Sequence, residues 1–160
     1  MNGCSAEGPG KASAAAQGEA APDFELKDLN HADTRLSATL SKNKAVLINF
    51  WATWCPPCRE EIPDLIRLQE RLRKEGLVVL GVDVGESQTK VSAFAAKMGI
   101  NYPVLLDKDM EVSVQYKVVG IPTSYLIGRD GKVIGVYHAV TDDLVADVEQ
   151  ALAVKVKSEK

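Results

Sequence analysis

Cys55-Pro56-Pro57-Cys58 lies at a seam in the sequence. Before it, Ala45–Trp51 (AVLINFW) is a nearly unbroken run of β-branched, aliphatic and aromatic residues. Such a run suits a strand covered on both faces. After it, Ile62, Leu65, Ile66, Leu68 and Leu72 repeat at helical spacing within 59–74. A doubly covered strand feeding directly into an amphipathic helix points to a layered α/β domain. Pro63 is expected to kink that helix, and Gly76 to stop it.

The rest of the chain completes the layers. Phe24, Leu26 and Leu29 suggest an early strand or hairpin, and Leu36, Thr39 and Leu40 a helical turn. Residues 77–84 (LVVLGVDV) form a second buried strand, 91–98 a helix ending at Gly99, and 102–106 a short extended piece. A short helix is predicted over 111–116. Residues 123–127 and 132–138 alternate as strands around Arg129-Asp130-Gly131, a hairpin signal. Thr141 can cap a last helix carrying Leu144, Val145, Val148 and Leu152. The predicted fold is a central mixed β-sheet flanked by helices, with an N-terminal β-hairpin extension.

Composition sets the outer limits. The chain has 160 residues, 46% hydrophobic and 26% charged, with a net charge of −3. This is the balance of one globular domain. No basic stripe is available to neutralise phosphates, so nucleic acid is not an expected partner. The apolar runs at 45–50 and 77–82 fall far short of the ~18 residues that span a bilayer. Residues 1–21 hold seven Ala and four Gly and no large apolar side chain after Met1. They read as a tether, 22–154 as the domain, and 155–160 as a frayed tail.

Chemistry concentrates at the cysteine pair. Cys55 falls at the N-cap of the helix and Pro56 at its first position. Cys58 is one turn on, so the sulfurs can close a small ring or separate with little backbone change. The helix terminus favours a thiolate at Cys55. Pro57 has no N–H, which leaves the Cys58 amide as the main donor to Cys55 and limits the depression of its pKa. Glu60 and Glu61 should oppose that depression and Arg59 assist it. Metal binding would need about four ligands, and His31 and His138 have no helpful spacing, so no metal site and no cofactor is predicted. A structural short-loop disulfide would stabilise little.

The segment Phe50-Trp51-Ala52-Thr53-Trp54-Cys55-Pro56-Pro57-Cys58 resembles the active-site segment of the thioredoxin superfamily. Gly120-Ile121-Pro122-Thr123, about 65 residues later, resembles that family's cis-proline loop. The resemblance spans 22–152 and is strongest to the TlpA-like, ResA-like and cytochrome c maturation proteins of the extracytoplasmic branch. It implies a thioredoxin-like fold, Cys55 as nucleophile, Cys58 as resolving cysteine, and a cis bond before Pro122. It also implies that Trp54, Pro56, Pro57, Ile121 and Pro122 line the substrate site. Where thioredoxin carries a buried Asp, this chain has Asn49. The segment 81–87 (GVDVGES) is similar to a ResA segment carrying an acidic residue, which implies a proton-transfer role for Glu86.

Gly3-Cys4 resembles the cleavage end of a bacterial lipoprotein signal, implying a lipidated Cys4 and an extracytoplasmic, periplasmic domain held at a membrane. The other reading is an incidental cysteine. The function expected is thiol–disulfide exchange by a monomer, mainly as a reductase. The resemblance implies a disulfide-containing protein substrate such as apocytochrome c, and a membrane thiol relay as electron donor. A general exported-protein reductase, an oxidant or an isomerase shares the same chemistry. A peroxidase would need its cysteine in a Thr/Cys/Arg setting, and a metal-binding module a fuller ligand set.

Overall fold

The computed structural model describes residues 16–154. Its elements are β1 (Glu25–Asp28), β2 (Asp33–Arg35), α1 (Leu36–Ser41), β3 (Ala45–Trp51), α2 (Pro56–Leu72), β4 (Leu77–Val84), α3 (Gln88–Met98), β5 (Val104–Asp107), α4 (Glu111–Gln115), β6 (Thr123–Gly128), β7 (Val133–Tyr137) and α5 (Asp142–Ala151). Among the described residues the strands form one sheet in the order β2-β1-β5-β4-β3-β6-β7. The three central strands β5, β4 and β3 are parallel, and the flanking pairs are antiparallel. β1 and β2 form the expected N-terminal hairpin.

β3 lies inside the sheet between β4 and β6, and all seven of its residues are buried. Alternation divides them between two cores. Val46, Ile48 and Phe50 join Leu80, Val82, Tyr116 and Tyr125 on one face. Ala45 and Leu47 meet Leu65, Leu68 and Leu72 of α2 on the other. Trp51 continues that second face into a cluster with Cys55, Cys58, Ile62 of α2 and Val91 of α3. The redox pair is thus built into the core at the C-terminal ends of the parallel strands, where α/β sheets place their sites.

α2 runs unbroken from Pro56 to Leu72 through Pro63, where the sequence predicts a kink. Pro63 lies on the exposed face, so the Arg59 carbonyl it leaves unpaired is accessible to water. The buried face of α2 includes Gln69, whose amide bridges the Leu77 carbonyl (2.9 Å) and the Val79 N–H (2.7 Å) of β4. α3 begins one turn before the predicted start because the Ser87 hydroxyl caps the Lys90 N–H.

One boundary moves. Residues 18–21, expected within the tether, are docked on the β6–β7 hairpin. Gly18 N–H donates to Val133 O, Val133 N–H to Glu19 O, and Ala21 N–H to Gly131 O, each at 2.8 Å. Backbone pairing needs no large side chain, and it covers part of the edge that β7 would otherwise expose. Cys4 and 155–160 lie outside the described residues.

Candidate active site

Cys55 sits at the N-cap of α2 in extended conformation, and its Sγ accepts the Cys58 N–H at 3.3 Å. Pro56 and Pro57 occupy the first two helical positions, so neither can supply a second amide there. Cys55 and Cys58 are joined as a disulfide, and both are buried. Trp54 beside them is 63% exposed.

The loop before β6 closes the other side of the pair. The Ile121–Pro122 peptide is cis. The Ile121 carbonyl oxygen lies 3.7 Å from Cys55 Sγ. Thr123 anchors the loop by donating its hydroxyl to Gly120 O at 2.5 Å, with His138 Nδ1 at 3.3 Å from the same oxygen. An apolar groove runs outward between Trp54, Pro56, Ile121, Val84, Met110 and Val119. Val119 on its rim is 99% exposed. Trp54, Cys55, Pro56, Pro57 and Ile121, all named from the sequence, line this one groove.

Three carboxyl groups lie at or near the pair on the same face of the sheet. Glu86 is placed by Gly85, whose left-handed φ of +76° turns the chain after β4. Its carboxylate accepts the Thr53 N–H (2.8 Å) and the Thr53 hydroxyl (2.7 Å), and Lys90 Nζ is 3.4 Å away. Burial pushes its pKa up. The neighbouring Asp83 side chain, both Thr53 donors and Lys90 outweigh that and hold it below the ordinary value. Glu86 is therefore an ionised clasp on the loop carrying Trp54 and Cys55. Held ionised near neutrality, it can accept a proton but has none to donate, so proton transfer at Glu86 would be that of a base.

Glu61 has the opposite character. It lies three residues beyond Cys58 on the buried face of α2, which makes the two side chains neighbours on one helix surface. Burial pushes its carboxyl up to about 7, opposed by the Asn49 hydrogen bond and reinforced by Asp64. Asn49 Nδ2 reaches Glu61 Oε2 at 2.8 Å and Ser124 Oγ at 2.9 Å. Asn49 thus fixes a titratable group in place of being one. The sequence reading treated Glu61 only as nearby negative charge. The third carboxyl, Asp83, is buried on β4 and pushed up to about 9, first by burial and then by Glu86.

Other chemistries are less well served. The Thr53 hydroxyl is committed to Glu86, and the Arg59 guanidinium lies 5.9 Å from the centre of the Phe94 ring. Neither is in the setting a peroxidatic cysteine requires. Among the described residues no three His, Cys, Asp or Glu side chains cluster in a way that could hold a metal ion.

The AhpC/TSA family model matches residues 17–136. The thiol-disulfide oxidoreductase ResA of Bacillus subtilis is 38% identical over 132 residues, covering 82% of this chain and 73% of the relative. A thiol:disulfide interchange protein of the thioredoxin family from Chlorobium tepidum superposes with TM-score 0.74 at 35% identity, covering 87% of this chain and 99% of that one. Peroxidoxin BcpB from Mycobacterium tuberculosis shares the fold at TM-score 0.71 and 27% identity, covering 87% and 95%. The frame thus accommodates more than one cysteine chemistry, and the Cys-x-x-Cys pair decides between them here. With a thioredoxin-like fold, a redox-active Cys55–Cys58 disulfide and ResA among its relatives, the chain belongs to the AhpC/TSA family as a ResA-like thiol–disulfide oxidoreductase.

Proposed function

We propose that the protein is a reductase of disulfides in exported proteins, with the haem-site cysteine pair of apocytochrome c as its substrate. The observation that carries this reading is Cys55 Sγ at the end of α2, bordered by the Ile121 carbonyl and opening onto an apolar groove. An extended substrate strand fits there, its backbone against Ile121 and Pro122 and its apolar side chains against Trp54, Pro56 and Pro57. The Cys55 thiolate attacks one substrate sulfur, forming a mixed disulfide and expelling the other as a thiolate. Cys58 then attacks Cys55 Sγ, and the second substrate sulfur leaves. Two electrons pass to the substrate, and the protein is left oxidised. Glu61, neighbour to Cys58 and titrating near neutrality, takes the Cys58 proton; Glu86 holds the loop. No cofactor takes part.

Re-reduction calls for a thiol-relay protein in the membrane, since the cell exterior holds no reducing pool. The resemblance to extracytoplasmic relatives supports a periplasmic location, with lipid on Cys4 as the anchor. A monomer suffices for this chemistry. No helix among the described residues is long and apolar enough to cross a membrane.

The test is the reduction potential of the pair, equilibrated with a thiol buffer at pH 7. A value at or below about −250 mV places it with reductants of the thioredoxin kind. A value between about −120 and −180 mV makes it an oxidant or isomerase and removes the reductase reading. Cys58→Ser should accumulate a mixed disulfide with an apocytochrome c peptide, and Cys55→Ser should not.

A further inference from the structure

Asp83 is the most deeply buried acid in the described chain, with no exposed surface. Neither of its carboxyl oxygens accepts a hydrogen bond of normal geometry, and the nearby Glu86 backbone N–H favours its charge less than burial opposes it. Its position is set by strand register. Trp51 and Asp83 are partners in the parallel β3–β4 ladder, so both project toward the face that holds Cys58, Ile62 and Val91. Trp51 Nε1 is buried without an acceptor and does not serve Asp83. The polar neighbour within its reach is Glu86, another carboxyl group.

Two carboxylates cannot satisfy one another, since both only accept. One proton shared between them can, as a charge-assisted O–H···O bond. Glu86 has two Thr53 donors and Lys90 at bonding distance to stabilise its charge, whereas Asp83 has only the weaker influence of the Glu86 backbone N–H and of Lys90. The proton therefore resides on Asp83. We propose that Asp83 is a positioning residue for the redox site: kept neutral, it donates its proton to Glu86 and so locks the Glu86 clasp on Thr53, two residues ahead of Cys55. Burial supports the same assignment by disfavouring charge on Asp83. The other titratable or charged groups around this face are Cys55 at the N-cap of α2, Cys58, Arg59 and Glu61 of α2, Lys90 of α3, and Tyr102. Of the two cations, Lys90 is engaged by Glu86 and Arg59 lies over the Phe94 ring. Loss of the Asp83 proton would set two negative charges against each other behind Thr53. The device is independent of which disulfide protein is the substrate.

The experiment uses the oxidised protein, in which neither cysteine titrates. Carboxyl 13C and amide 15N signals are followed by NMR from pH 5 to 10. The Asp83 carboxyl should be neutral at pH 7 and should ionise near pH 9, with the Thr53 amide signal shifting in the same step. In Asp83→Asn the side-chain amide replaces the O–H donor. Thr53 should stay as protected from hydrogen exchange as in the parent, and its alkaline shift should vanish. In Asp83→Leu no donor remains, and Thr53 exchange should accelerate at least tenfold. An Asp83 carboxyl ionised at pH 7 overturns the proposal. So does an alkaline Thr53 shift that survives in Asp83→Asn. If Asp83→Leu does not fold, the titration and the Asn variant decide alone. A purely structural role for Asp83 would leave the pH profile of Thr53 in place.

Discussion

Asn49 on β3 donates a 2.8 Å hydrogen bond to Glu61 on α2, joining the central strand to the helix that carries both cysteines. The amide cannot titrate, so the proton-active group at this contact is the carboxyl, raised by burial to about 7. Its position one turn beyond Cys58 makes it the acid best placed to act on that thiol. The rate at which the reduced protein attacks a small disulfide should therefore show an inflection near pH 7. Glu61→Gln should remove that inflection and slow exchange by about a hundredfold, the low end for loss of a general acid–base group. Stopped-flow rates from pH 5 to 9 would check this. An unchanged profile would return the proton to another group.

The same burial gives stability a direction in pH. Glu61 and Asp83 both have folded-state pKa values above their ordinary ones, about 7 and about 9. Groups of this kind favour the folded state most below their unfolded pKa, and the advantage is lost as pH rises through the folded one. The oxidised protein should lose stability from about pH 5 to pH 9, with the Glu61 part on the order of 3 kcal/mol. Urea midpoints across that range would show it. Glu61→Gln should remove its share of the slope below about pH 7, and Asp83→Asn its share across the whole range.

Pro57 limits how strongly α2 can stabilise a thiolate. Cys55 Sγ accepts a single helix amide, from Cys58, because the second helical position has no N–H. Pro57→Ala supplies one. A hydrogen bond to a charged group is worth about 1.5–3 kcal/mol, so the Cys55 pKa should fall by about one unit or more. A more stable thiolate makes the dithiol harder to oxidise, so the pair should become a weaker reductant. Thiolate absorbance against pH, with the reduction potential alongside, would test both effects.

The groove predicts a split between substrates. Val119 is almost fully exposed on its rim and makes no contribution to the buried core. Val119→Asp should leave stability within about 0.5 kcal/mol and leave reduction of a small disulfide reagent unchanged. Reduction of a disulfide-bonded peptide with apolar flanks should slow, through a higher KM. Trp54→Ala should do the same more strongly. Equal effects on both substrates would mean that the groove does not bind the flanking chain.

Patterns of period carried most of the fold into view. β3 and β4 match the predicted apolar runs residue for residue, and the Cys55 cap with its Cys58 donor follows from Pro57 alone. The acids were harder. Cys58, Glu61, Ile62 and Leu65 share one face of α2 by spacing, and that was the available signal for Glu61. Asp83 shares parity with Leu77, Val79 and Gly81 in β4, yet parity does not reveal whether a neighbour supplies a donor. The Glu86 clasp depends on a turn at Gly85 that brings together residues 33 positions apart in sequence. Periodicity has no access to such a contact.

The docking of residues 18–21 gives the domain a polarity. Ala20 pairs with Lys132, beside Gly128, and Gly128 pairs with Ala45 at the start of β3. Cys55 follows the other end of that strand, about 20 Å away at ~3.3 Å per residue. Anything joined upstream of these residues pulls on one pole while the sulfurs occupy the opposite one. A surface holding the protein from its N-terminal side would leave the redox pole facing away from it, free to meet partners head-on.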